Sequence, residues 1–225
     1  MLREALREYG KRNMTDTDSY LSSSSPESHI WHFLSRKRIH ISLIVVCGLI
    51  AIDMLRGQHP HAVVNFSDAW STTGLLLVLA GVVVRSWAAG VLNKNAFLST
   101  GGPYAFTRNP LYLGSFLMML GFCTLIGALH NYIAMLLLAL LLYWPKIKRE
   151  EASLHGRFGQ VWTDYVRTTP RLLPRRLLVR GACAGWSFEQ WWRNKEYMAV
   201  LGVALGLTVF ETWYLLVRWS ASTLN

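Results

Sequence analysis

The chain has 225 residues, 52% of them hydrophobic, with 10 Trp and a formal net charge of +10. Long uncharged apolar runs and a positive mean hydropathy exclude a soluble globule, and Lys and Arg placed between apolar runs exclude a basic nucleic-acid-binding face. Cys47, Cys123 and Cys183 have no close spacing, so neither a disulfide framework nor a metal site is expected.

Residues 1–38 read as a cytoplasmic N-terminal tail, polar and without the apolar core of a cleavable leader. Residues 39–92 supply the first two transmembrane helices. Arg36, Lys37 and Arg38 lead into an apolar segment over 39–55, about 17 residues and at the short end of what spans a bilayer. Asp53 is expected to reach the interface beyond it. The connection over 56–68 reads as a solvated outer loop, where His59 and His61 lack the partners of a metal site. The second span covers 69–92, with Gly74, Gly81 and Gly90 offering small faces for close packing. Arg85 inside it either snorkels to the surface or pairs with a carboxylate or ligand in the bundle.

A polar hinge over 102–114 follows. Gly101, Gly102 and Pro103 break any arriving helix. Asn109 is pushed out of the helical region by Pro110, which suits the first turn of a third span over 111–129. Free N–H groups at that helix start, with Arg108 before them and Tyr112 behind, favour an anionic or polar group. The alternative is a membrane-edge loop anchored by Arg and Tyr. A turn at His130 and Asn131 makes an antiparallel hairpin with a fourth run over 132–144, which is short before Pro145, so its inner end is expected to continue through Ile147 into the interface.

From Lys146 to Lys195 the chain carries 11 Lys or Arg. Glu150, Glu151, Leu154, Phe158, Trp162 and Tyr165 recur at helical spacing, which predicts an amphipathic helix on the membrane face, mildly interrupted at Gly159 and ended by Pro170 and Pro174. Residues 181–225 hold an interfacial segment marked by Trp186, Trp191 and Trp192, then a fifth span over 197–219 in which Glu211 is expected to pair with Arg218. The fold expected is an all-α integral membrane protein of about five transmembrane helices, with a cytoplasmic amphipathic helical segment between the fourth and fifth. The positive segments place the N-terminus, the hinge and the Glu150/Glu151 helix on the cytoplasmic side and the C-terminus outside.

On these residues alone, Arg108 and the hinge N–H groups suit a carboxylate, Glu150 and Glu151 suit an amino group or ribose hydroxyls, and Tyr104, Tyr112 and Trp144 offer faces to a cation. A solvated helix face beside a loop accounts for them as well.

Gly102-Pro103-Tyr104 with Arg108-Asn109-Pro110-Leu111-Tyr112-Leu113-Gly114, followed by Glu150-Glu151, Leu154, Phe158-Gly159, Tyr165 and Thr169-Pro170-Arg171-Leu172-Leu173-Pro174, resembles the isoprenylcysteine carboxyl methyltransferase and phospholipid methyltransferase superfamily. The match runs over about 93–174, and residues 93–180 are read as the catalytic half. The resemblance implies an integral membrane methyltransferase that binds S-adenosylmethionine on its cytoplasmic side and takes a lipophilic acceptor from the bilayer. It carries over Arg108, Asn109, Tyr112, Gly114, Glu150 and Glu151 as cofactor-site residues, with Tyr104 beside them and Arg108, Glu150 and Glu151 as catalytic candidates. Asn109 stands where the prenylcysteine enzymes have histidine, and the fifth span is additional to the catalytic half. Prenylcysteine carboxylate, phospholipid amine and small thiol all stay open as acceptors. An NADPH-dependent sterol or enone reductase and a non-enzymatic membrane subunit are the competing readings.

Overall fold

The computed structural model describes residues 42, 44–93, 97–175 and 185–223. The tail over 1–38, the beginning of the first span, Lys94 and the stretch 176–184 lie outside them. The chain divides after Ile44 into two units, and the second is described below.

Among the described residues the regular elements are helices: α1 Ile44–Leu55, α2 Ala69–Val91, α3 Pro110–Ile126, α4 Leu129–Phe158, α5 Gln160–Thr168, α6 Phe188–Arg193 and α7 Glu196–Thr223. The helices α2, α4 and α7 are long and apolar enough to cross a membrane, and α1 and α3 are shorter apolar helices. The chain is an integral membrane protein.

The bundle is centred on the α2–α3 contact. Two glycines seven residues apart in each helix face each other in opposite order, Gly74 against Gly121 and Gly81 against Gly114, so the helices are antiparallel. A Cβ on Gly81 would lie 2.6 Å from the Gly114 carbonyl oxygen, and one on Gly121 would lie 2.7 Å from that of Gly74. No side chain fits at such distances, so the two backbones touch.

The α3–α4 turn falls earlier than the sequence indicates. Gly127 closes α3 in the left-handed region at φ 75°, which glycine adopts without a Cβ clash. His130 and Asn131 therefore lie in the first turn of α4. They face Asp53, which is fully buried. Asn131 Nδ2 donates to Asp53 Oδ2 at 2.9 Å, and His130 Nε2 is 2.7 Å from Oδ1. Glu211 also differs from expectation. It accepts the Val63 N–H at 2.7 Å and makes no ion pair with Arg218, because a loop N–H beside it needs a partner while Arg218 is two helical turns away. His61 lies 2.7 Å from Asp68, the residue that caps α2. These contacts cover an apolar cluster of Val63, Leu125, Ile126, Ala128 and Phe210.

The fourth helix passes through Pro145, as expected, and runs on beyond Ile147 to Phe158. The segment Ala139–Tyr143 winds as a π-turn, and its wider ladder admits a proline that lacks an N–H and crowds the preceding turn. The apolar run and the charged run are thus one helix. Gly159, at φ 52°, breaks it outright and starts α5.

Candidate functional site

The hinge is fastened to the chain's return after α5. The Arg108 N–H donates to Pro170 O at 2.9 Å, and the Thr107 hydroxyl donates to Arg171 O at 3.0 Å. Tyr104 lies in a short 3-10 turn over Gly102–Ala105 and is buried against Ala88 and Val91 of α2. Tyr165 of α5 donates its hydroxyl to Tyr104 O at 2.6 Å. Burial pushes both phenols well above their ordinary range, so both remain protonated donors at neutral pH.

Glu151 is the centre of the cluster. It lies one helical turn beyond the fully buried Ile147 on the inward face of α4 and is itself buried. Its Oε1 accepts from Asn109 Nδ2 at 2.9 Å and lies 3.6 Å from Arg108 Nη1. Its Oε2 accepts from Arg171 Nε at 3.0 Å and Nη2 at 2.8 Å. A carboxylate offers about four acceptor positions; three hydrogen bonds occupy three of them, and the Arg108 guanidinium lies at ion-pair distance. Asn109 Nδ2 also reaches Arg171 O at 3.1 Å.

Two guanidiniums surround this one buried carboxylate, so the cluster carries surplus positive charge. Arg108 Nε is buried and has no hydrogen-bond partner among the described residues. Burial draws the Arg108 guanidinium below its ordinary value, Glu151 opposes that shift and Arg171 adds to it. Aromatic faces complete the cluster. Arg108 sits 6.0 Å from the Trp162 ring centroid and Arg171 5.2 Å from that of Trp144, both within cation–π reach. Tyr112 meets Tyr143 edge-on at 6.2 Å.

The structure therefore brings together Tyr104, Arg108, Asn109 and Glu151 from the expected set. Glu150 points elsewhere: it is 42% exposed and pairs with Lys146 at 3.1 Å. Gly114 lies in the α2–α3 contact, under Arg85. The expected fan of free N–H groups at the start of α3 is narrower than the sequence indicates, since the Tyr112 and Leu113 N–H groups both bond to Asn109 O. The Asn109 side chain, turned to Glu151, does not cap the helix. The sequence reading leaves Arg171 among the closing prolines. Its signals are a single Arg between two prolines and its place in the closing Thr169-Pro170-Arg171 motif, and nothing local shows that it returns to Glu151.

The family model described as phospholipid methyltransferase matches residues 70–161. The nickel-cobalt-cadmium resistance protein NccN of Alcaligenes xylosoxydans xylosoxydans is 35% identical over 153 residues, 66% of this chain and 70% of the relative. The cobalt-zinc-cadmium resistance protein CzcN of Cupriavidus metallidurans is 34% identical over 173 residues, 73% of this chain and 78% of the relative. A protein-S-isoprenylcysteine O-methyltransferase of Schizosaccharomyces pombe is 31% identical over 133 residues, 52% of this chain and 55% of the relative.

Proposed function

Because the chain belongs to the isoprenylcysteine carboxyl methyltransferase and phospholipid methyltransferase superfamily, we propose that it is an S-adenosylmethionine-dependent membrane methyltransferase for a lipophilic or membrane-borne acceptor, working at the cytoplasmic face. The observation that carries the reading is the cluster in which one buried carboxylate, Glu151, joins the hinge, α4 and the segment after α5.

The residues present fit the cofactor. The orphaned Nε of Arg108 and the surplus positive charge shared with Arg171 suit its carboxylate, and the faces of Trp144 and Tyr112 suit its cationic centre. Glu150 is the carboxylate left open to solvent, which suits an amino group or ribose hydroxyls. When bound, the cofactor supplies an electrophilic methyl group for an in-line displacement that needs no metal. Glu151 holds Arg108, Arg171 and Asn109 in place instead of taking a proton, since three hydrogen bonds and two guanidiniums hold it as a carboxylate. Tyr104 and Tyr165, buried and protonated, fix the hinge against α5.

In this reading α1 and α3 cross the membrane with α2, α4 and α7, giving five spans. The hinge and the basic residues of α4 and α5 then face the cytoplasm. Calorimetry of the purified protein in detergent should show binding of S-adenosylhomocysteine, and Arg108→Ala should weaken it. Membranes supplied with radiolabelled S-adenosylmethionine should gain a labelled product that depends on the protein. Absence of both binding heat and labelling in the wild type would sink the reading.

A further inference from the structure

Arg85 is a charge within a helix apolar enough to cross a membrane, and such residues are costly enough that what holds them is informative. Its Nε and Nη2 donate to Glu196 at 2.7 and 2.9 Å, and its Nη1 donates to Ser115 Oγ at 2.6 Å. Glu196 is the first residue of α7 and is buried. The Ser115 hydroxyl in turn donates to Leu111 O at 2.9 Å. A polar chain thus runs from α7 through α2 into the first turn of α3, the turn that follows Asn109 and Pro110.

Gly114 makes this path possible. A Cβ there would lie 2.6 Å from Arg85 Cγ, so the Arg85 stem crosses α3 only where a side chain is missing. The fields of Glu196 and Arg85 also reach Tyr104. The segment before α7 is fixed to the same end of α2. Asn194 Nδ2 donates to Ala89 O at 2.8 Å and Leu92 O at 2.9 Å. The Ser187 N–H donates to Gly90 O at 2.9 Å, and Trp186 lies against Gly90.

We propose that Arg85 and Glu196 are a positioning pair for the cofactor site. Acting through Ser115, they set the first turn of α3 and with it Arg108, Asn109 and Tyr112, so the C-terminal helix belongs to the support of the site. The inference rests on the methyltransferase reading for its functional readout, and a ligand-free readout separates the two.

Ser115→Ala cuts the link while leaving the ion pair whole, and Ser115→Thr keeps the hydroxyl. Ser115→Ala should weaken S-adenosylhomocysteine binding by roughly tenfold, the scale on which loss of a supporting hydrogen bond acts, with little change in unfolding temperature. Ser115→Thr should restore binding. Glu196→Gln should weaken binding at least as much. The ligand-free readout is the thiol-labelling rate of a cysteine introduced by Leu113→Cys, which should change with Ser115→Ala and not with Ser115→Thr. Wild-type affinity and an unchanged labelling rate in Ser115→Ala would make the pair a plain structural pin and overturn the proposal, even if Glu196→Gln fails to fold. A wild type that binds no cofactor would sink the functional reading, and the labelling rate would still decide the positioning claim.

Discussion

Glu150 and Glu151 are neighbours in the chain and about 100° apart around α4, and that angle divides their roles. Glu151 shares the inward face with Ile147 and is enclosed by Asn109, Arg108 and Arg171, whereas Glu150 forms a solvent-facing pair with Lys146. Breaking a buried pair strands its partners, at a cost of about 3 kcal/mol. Glu151→Gln is therefore expected to lower both thermal stability and cofactor affinity, since two guanidiniums lose their counter-charge. Glu150→Gln is expected to stay within about 0.5 kcal/mol of the wild type, and any effect should appear in cofactor affinity alone. Detergent unfolding curves set beside calorimetry would separate the two, and equal losses of stability would contradict the division. At this scale the sequence was partly legible. Helical spacing marked the face holding Glu151, but it treated adjacent carboxylates as a pair, and only the returning chain shows which one Arg171 selects. Arg85 was likewise open between snorkelling and pairing, because Glu196 is 111 positions away.

Two glycine pairs decide how closely α2 and α3 approach, and their cost of substitution is local. Adding a methyl group at Gly121 meets Val78 Cγ2 at 2.6 Å as well as the Gly74 carbonyl, so Gly121→Ala is expected to destabilise by about 1–3 kcal/mol through overpacking. Gly202 in α7 has nothing within 4 Å of such a methyl group, so Gly202→Ala should be neutral or stabilising by up to about 1 kcal/mol through helix propensity. Unfolding temperatures of the two variants in the same detergent test this, and similar shifts would mean that the helices do not touch as described. Long apolar runs were readable from sequence to within a few residues: α2 was expected over 69–92 and is Ala69–Val91, and α7 was expected over 197–219 and is Glu196–Thr223. Turns were less so. Asn and His at 130–131 look like turn residues, but Gly127 alone accepts the left-handed backbone, and the polar pair is drawn into α4 by the buried Asp53.

For the molecule as a whole, the two ends of the bundle are held by different chemistry. The end built around Asp53, His130 and Glu211 uses buried polar contacts over an apolar cluster, whereas the hinge end gathers Arg108, Lys146, Lys148, Arg149 and Arg171. The proposed five spans and the asymmetry of positive charge together predict opposite sides for these ends. In a background lacking Cys47, Cys123 and Cys183, a cysteine replacing Phe66 should react with an impermeant maleimide on intact cells, and one replacing Phe97 should react only after the membrane is opened. Both wild-type side chains are exposed. Labelling of both from outside would refute the topology. The pattern of positive segments was legible in composition, but the union of the fourth span with the charged run was not, because hydropathy reads an apolar run and an amphipathic charged run as separate segments. The π-turn that absorbs Pro145 has a consequence for insertions and deletions. Such a turn takes one residue more than an ordinary helical turn, so it can gain or lose a residue without turning the flanking halves out of phase. Between Pro145 and Glu151 there is no such slack. One residue added there would rotate Glu151 by about 100° and face Asn109 with another side chain, so this helix should tolerate a length change only in its apolar half.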